Sequence, residues 1–130
     1  MGLNDGNKGA GDPDAQRALA EAISAVDECQ TIMFRNFDTM IEAARNGSQL
    51  PIEQRIKMRF DAAAVSRKCT DAINHMFNAC GAQGIFRDHP LNRAWLDINA
   101  GRQHVANNPF KFGRNLGGTM MGQENSDFFL

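Results

Sequence analysis

The longest stretch of this chain without glycine or proline runs from Asp14 to Asn46. Apolar residues recur in it at steps of three and four, the period of one face of an α-helix. Those residues are Leu19, Ile23, Val26, Met33, Phe37, Met40 and Ala44. The stretch follows Asp12-Pro13, a typical helix start, and precedes Gly47, a typical stop. It therefore predicts one helix of about 34 residues and about 50 Å, with these side chains facing the core.

Two more helices are predicted after this one. The second lies between Pro51 and Gly81 and is apolar around much of its circumference. A helix of that kind packs between neighbours rather than on a surface. The third runs from about Pro90 to Asn107. It is predicted to bury Leu91, Trp95, Ile98 and Val105.

The rest of the chain completes an all-α prediction. Phe110–Leu116 is expected to form a short helix, and Gly117–Gly122 a loop before the apolar end of the chain. No strand pattern and no internal repeat appear. We therefore predict an antiparallel bundle of three long helices plus a short C-terminal helix over residues 12–130. Residues 1–11, rich in glycine and nearly free of apolar side chains, are expected to be a flexible tail.

Composition excludes several classes of function. The 14 basic and 15 acidic residues leave a formal charge of −1. That balance argues against nucleic acid or an anionic membrane as partner. Apolar runs are too short for a transmembrane helix or a signal peptide, so cytoplasm is the expected location. The three cysteines fit no metal-ligand spacing and are expected to be buried thiols in a reducing compartment, and no metal site is predicted.

A polar stripe on the predicted third helix is the candidate functional feature. Arg93, Asp97 and His104 fall on one side of a continuous helix, and Ala100 and Gly101 between them leave room for a flat ligand. One interpretation is a site whose reactive group is the imidazole. The other is an ordinary i,i+4 ion pair beside a surface histidine.

Several short motifs resemble, in order and separation, the C-terminal helical domain of the acyl-CoA dehydrogenase-fold flavoproteins. More narrowly, the chain is similar to the oxygenase components of two-component flavin monooxygenases, which hydroxylate phenols. The resemblance runs from Asp12 to about Lys111. The motifs are Asp12-Pro13 with Gln16 and Leu19-Ala-Glu-Ala, Arg55 and Arg59, Gly81-Ala-Gln-Gly84, His89-Pro-Leu-Asn-Arg93, and Asp97 through His104.

The resemblance implies roles for a few residues. His104 occupies the place of a catalytic histidine near the flavin ring, where an imidazole can accept a phenol proton or hold a peroxide by a hydrogen bond. Gly81 and Gly84 match a turn that, in related dehydrogenases, approaches the dinucleotide cofactor of a neighbouring subunit. Arg93 and Asp97 match a pair that orients the helix. The implied cofactor is reduced FMN or FAD, supplied by a separate flavin reductase.

Two departures from the family pattern shape the functional prediction. The common acyl-CoA dehydrogenases carry a catalytic glutamate where this chain has Val105, which disfavours dehydrogenation. The family's N-terminal helical domain and middle β-domain have no counterpart in these 130 residues. We therefore expect the chain alone to be inactive, to hold no flavin, and to form a homo-oligomer, a dimer or tetramer. The alternatives are a non-catalytic oligomerisation or interaction module, and the C-terminal domain of an acyl-CoA dehydrogenase.

Overall fold

The computed structural model describes residues 11–81 and 85–130, and these form an all-α bundle, as predicted. Four α-helices and one 3₁₀ turn follow one another in this part of the chain. They are α1 (Pro13–Arg45), α2 (Ile52–Ala79), α3 (Pro90–Gly101), the 3₁₀ turn (Val105–Asn107) and α4 (Pro109–Met120). The tail predicted for residues 1–11 lies outside the described residues except for Gly11.

Helix α1 confirms the prediction of a single long helix and spans 33 residues. At its start the Asp12 carboxylate accepts a hydrogen bond from the Asp14 backbone N–H over 2.9 Å, which satisfies one of the free donors of the first turn. It ends just before Gly47, whose φ of +65° is a backbone conformation that glycine adopts without strain.

Helix α2 is the centre of the bundle, as its broad apolar surface predicted. It contacts α1, α3, α4 and the 3₁₀ turn. Its most deeply buried residues, Ile56, Ala63 and Thr70, are spaced by seven and form one line along the helix. Helix α3, the 3₁₀ turn and α4, which carry the candidate site, therefore all pack on α2.

Helix α3 is held on α2 by its tryptophan. The Trp95 ring stacks on Phe77 with centroids 4.9 Å apart and an interplanar angle of 25°. Its Nε1–H donates to the Asn74 side-chain oxygen over 2.7 Å, and Asn99 donates to the same oxygen over 3.4 Å. Ring contact and hydrogen bond together fix the position of α3 along α2.

The predicted extent of the third helix was wrong at its C-terminal end. The α-helix stops at Gly101 rather than near Asn107, and Val105, predicted to be buried, is 63 % exposed. The spacing of apolar residues did not reveal where the helix ends, because Val105 follows Ile98 by seven residues, as on a continuous helix face. The backbone instead turns after Arg102 and starts a separate 3₁₀ turn.

Helix α4 is longer than predicted, since residues 117–120 were expected to be loop. Asn108 caps it by accepting hydrogen bonds from the Phe110 and Lys111 backbone N–H groups at 3.1 and 3.2 Å. Phe112 is 3 % exposed and lies under the Arg59 guanidinium, 4.0 Å from the ring centroid. This packing offsets the low helix propensity of the glycines in α4, each of which costs about 1 kcal/mol of helix stability relative to alanine.

The apolar C-terminus docks in part on the bundle. The Asp127 carboxylate is buried and lies 3.9 Å from Arg59 Nε, and Arg55 donates to the Leu130 carbonyl over 3.3 Å. Phe128 and Phe129 nevertheless remain 88 % and 79 % exposed. These polar anchors on α2, rather than the aromatic rings, hold this end of the chain.

The predicted core face of α1 was largely wrong. Helix α1 packs on α2 through small side chains such as Ala18, Ala22 and Cys29. Five of the predicted apolar side chains are 40–62 % exposed instead: Leu19, Ile23, Val26, Phe37 and Met40. These five form what we call the α1 stripe. Among the described residues α1 makes extensive contact only with α2, and no other described element covers this stripe extensively.

Candidate functional site

His104 lies in the turn between α3 and α4 and caps the 3₁₀ turn. Its backbone is extended (φ −62°, ψ 138°), and its Nδ1 accepts a hydrogen bond from the Ala106 backbone N–H over 3.1 Å. The side chain is exposed. The sequence favours this arrangement because the helix-starting pair Asn108-Pro109 follows directly and the chain must turn before it.

The turn that carries His104 is closed by side chains as well as by the backbone. Asn107 Nδ2 donates to the Gly101 carbonyl over 2.8 Å, and the His104 backbone N–H donates to the same carbonyl over 3.2 Å. That carbonyl ends α3 and has no helical donor of its own. The Ser66 hydroxyl on α2 shares its proton between the Asn107 carbonyl at 3.2 Å and the Ala63 carbonyl of its own helix at 3.0 Å. Residues 101–107, which we call the closed turn, are thus anchored to α2.

The closed turn forms one wall of an open groove of about 420 Å³. Its wall includes Ser66, Arg67 and Asp71 from α2, Arg102 and His104 from the turn, and Phe110 from α4. The Arg67 guanidinium lies 5.6 Å from the centroid of the Phe110 ring, and its Nε is 3.9 Å from the Asp71 carboxylate. The groove therefore offers an aromatic face, a histidine and two guanidinium groups to a ligand.

The predicted stripe of three polar residues is not one site. Arg93 Nε and Asp97 Oδ2 form an exposed ion pair at 3.3 Å, the ordinary i,i+4 contact. His104 lies beyond the end of α3 and lines the groove, which neither member of that pair does. The structure separates them because the helix ends at Gly101, three residues before the imidazole.

Sequence inspection missed the α2 and α4 side of this groove. Arg67 belongs to a helix face that looks like an ordinary solvated surface, and Phe110 was assigned only to a short helical turn. The useful clue was the Asn108-Pro109 pair, since a helix start at that point forces the preceding residues into a turn. Nothing local in the sequence indicates that Arg67 and Phe110 meet.

Of the two predicted cofactor-contact glycines, the structure describes Gly81 alone, and Gly84 lies outside the described residues. Gly81 has a φ of +60°, and no atom lies within 4 Å of where a Cβ would stand. The positive φ explains why glycine ends α2, since side-chain-bearing residues adopt it only with strain.

The cysteines of the described part of the chain form neither a disulfide nor a metal site. They are free, with Cys29 buried, Cys69 half-buried and Cys80 exposed, so burial was wrongly predicted for Cys80. Burial, with Cys69 beside it, raises the pKa of the Cys29 thiol and keeps it protonated. Across residues 11–81 and 85–130 no three His, Cys, Asp or Glu side chains come together as a metal site requires. None of the described helices is long and apolar enough to span a bilayer.

Comparison with known proteins supplies the family. The family model for the acyl-CoA dehydrogenase C-terminal domain matches residues 2–109. The chain belongs to this family. The resemblance drawn from the motifs is thereby confirmed, and the helical bundle is the C-terminal domain fold of the acyl-CoA dehydrogenases.

Relatives of this acyl-CoA dehydrogenase C-terminal domain include oxygenase components of hydroxylases. The chain is 32 % identical over 104 residues to the flavin-dependent monooxygenase oxygenase subunit HsaA of Mycobacterium tuberculosis, which covers 80 % of this chain and 26 % of that protein. It is 29 % identical over 126 residues to the FADH2-dependent resorcinol hydroxylase oxygenase component of a Rhizobium species, covering 91 % and 30 % respectively.

A solved structure shows the same fold. The 3-HSA hydroxylase from Rhodococcus sp. RHA1 superposes on this chain with a TM-score of 0.84 at 29 % identity, covering 89 % of this chain and 30 % of that one. The chain thus spans 26–30 % of the length of these relatives.

Proposed function

We propose that this chain acts as the C-terminal domain of a flavin-dependent monooxygenase that hydroxylates a phenolic ring with reduced flavin and O2. The observation that carries the proposal is the exposed His104 in a groove of a domain whose named relatives are monooxygenase and hydroxylase oxygenase components. Against acyl-CoA dehydrogenation stands Val105, an apolar residue at the position where the commonest dehydrogenases have a glutamate. Asp71, the carboxylate that lines the groove, forms an ion pair with Arg67, with 3.9 Å between Asp71 Oδ2 and Arg67 Nε.

The groove suits one face of a flavin. Its volume of about 420 Å³ falls within the range of about 300–1,000 Å³ typical of small-molecule sites. Phe110 and Arg67 provide a flat surface, while His104 and Arg102 provide hydrogen-bond donors and charge. When bound, reduced flavin supplies the electrons with which O2 is activated for transfer to the ring. Because His104 and Phe110 are exposed, the chain alone provides a wall rather than an enclosed pocket.

We also propose a source of the reduced flavin, contacts to it and a cellular location. Reduced FMN or FAD comes from a separate flavin reductase, as the printed names "oxygenase subunit" and "oxygenase component" of the relatives suggest. Gly81 and Gly84 remain proposed contacts to the cofactor. We also propose a cytoplasmic location for the protein. Free cysteines in the described part of the chain agree with a reducing compartment.

An assay of an intact hydroxylase that carries this chain tests the function. With a flavin reductase, NADH, FMN or FAD and isotopically labelled O2, we expect one labelled oxygen atom in the hydroxylated phenol. The isolated 130-residue chain, titrated with the same flavins, is expected to bind neither tightly. Oxidation of an acyl-CoA without labelled oxygen would favour the dehydrogenase alternative. Absence of any flavin turnover, with a stable oligomer, would favour the non-catalytic module.

A homo-oligomer is also proposed, and the α1 stripe supports it. Five large apolar side chains along one helix leave an unusually apolar surface in water. A second copy of the chain offers the same stripe, and two-fold pairing of identical surfaces is the commonest way in which such surfaces are buried. This contact would leave the His104 groove free, because no residue of the stripe lines it.

Charge reversal on the stripe should disrupt this assembly. The variant Ile23→Glu places a carboxylate at an exposed apolar position and is expected to convert a dimer or tetramer to monomer. Light scattering coupled to size-exclusion chromatography gives the mass directly. Thr31→Glu, at an exposed polar position of the same helix, serves as the matched control. A monomeric wild-type chain, or equal masses for the two variants and wild type, would contradict the proposed contact.

A further inference from the structure

We propose that Asn107 is a positioning residue that, through the closed turn, keeps neutral His104 in the tautomer that carries its proton on Nε2. The hydrogen bond that caps the 3₁₀ turn selects the tautomer. Because His104 Nδ1 accepts the Ala106 N–H at 3.1 Å, the lone pair of Nδ1 is in use and the ring proton lies on Nε2. The other neutral tautomer would set two N–H donors against each other.

Contacts within the closed turn keep the Ala106 backbone N–H in place. The cap bond needs the backbone to reverse within residues 101–107, and only one 3₁₀ turn of backbone bonds follows His104. Asn107 closes the base of this reversal through its 2.8 Å bond to the Gly101 carbonyl. Its own carbonyl is held by Ser66. Loss of the Asn107 donor therefore loosens the closed turn where Asn107 meets the Gly101 carbonyl.

The consequence concerns the ligand chemistry of the groove, and it rests on the proposed function. Neutral His104 presents an N–H donor at Nε2, so the ligand atom that meets it must be an acceptor, such as a phenolate or peroxide oxygen. Arg67 and Arg102 are likewise donors without acceptor capacity. Of the two roles that the family resemblance implied for this histidine, the structure favours donation of a hydrogen bond over acceptance of a phenol proton at Nε2.

Nitrogen NMR of the 130-residue chain tests this without any flavin. At about pH 8, above the ordinary histidine pKa of about 6.5, long-range ¹H–¹⁵N correlation distinguishes protonated from unprotonated ring nitrogens. We expect the ratio of the Nε2–H to the Nδ1–H tautomer of His104 to exceed that of free neutral histidine, which itself favours Nε2–H, at least about fivefold. That factor equals about 1 kcal/mol, the contribution of one hydrogen bond. His89 provides an internal standard, because its Nδ1 accepts from the Leu91 N–H in the same way at 3.2 Å.

Two neighbouring substitutions then distinguish the loss of the Asn107 hydrogen bond from the effect of an added negative charge. Asn107→Asp keeps the shape and removes the donor, so the ratio should fall to within about twofold of that of free histidine, while His89 stays unchanged. Asn108→Asp adds the same charge one residue later but keeps the acceptor that caps α4, and should leave His104 as in wild type. A wild-type ratio no larger than that of free histidine would overturn the proposal, as would equal shifts in both variants. Neither result bears on whether the intact protein hydroxylates phenols.

Discussion

Replacement of His104 by alanine, in a hydroxylase that carries this chain, is expected to lower the rate of phenol hydroxylation about 10²-fold or more. That size is typical for loss of a positioned group that donates to, or exchanges protons with, the reacting atoms. Since the reduced flavin still consumes O2, the oxygen is expected to leave as hydrogen peroxide. The ratio of hydroxylated product to peroxide, measured at equal NADH consumption, is therefore the most direct observable.

Two companion variants separate the imidazole from its capping role. His104→Asn keeps an acceptor for the Ala106 N–H but has no Nε2–H, so it should retain stability and still lose hydroxylation. His89→Ala removes an equivalent cap at the start of α3, outside the groove. It should cost about 1 kcal/mol of unfolding free energy and leave the product ratio unchanged. A product ratio in His104→Ala equal to that of wild type would exclude the proposed role.

Replacement of Trp95 by alanine is expected to cost about 3 kcal/mol of unfolding free energy, the largest loss of stability that we predict from one substitution. The change removes the stack on Phe77 and the hydrogen bond to Asn74 together. Trp95→Phe keeps an aromatic ring but loses the donor, and should cost about 1 kcal/mol. Helix α3 ends at the closed turn, so loosening it also displaces His104.

Urea unfolding followed by far-ultraviolet circular dichroism is the suitable measurement, because Trp95 is the only tryptophan and its fluorescence disappears with the mutation. Leu96→Ala provides the control, as this neighbour on the same helix is 52 % exposed. It should change the unfolding free energy by less than about 0.5 kcal/mol. Equal effects at positions 95 and 96 would show that the stack does not hold α3 on α2.

How far the sequence predicts the fold depends on the kind of contact. The start of α1 at Asp12-Pro13 and its end before Gly47 were predictable, because capping and glycine stops involve neighbouring residues. The exposure of Ile23 was not, since an apolar stripe indicates that a face is to be covered but not what covers it. Helix α1 instead turns its small residues to α2, which allows close approach.

The candidate site shows the same division. The sequence by itself determined that His104 was the residue to examine and that the chain was a helical domain of this family, because motif order and helical period are local properties. Only the tertiary structure decided that Arg93 and Asp97 lie apart from it, and that Arg67 and Phe110 line its groove. The physical reason is that the end of α3 depends on a bond from Asn107 to Gly101, and the groove on how α4 crosses α2. The first contact spans six residues and its local signal is the Asn108-Pro109 helix start. The second joins segments whose local patterns carry no information about each other.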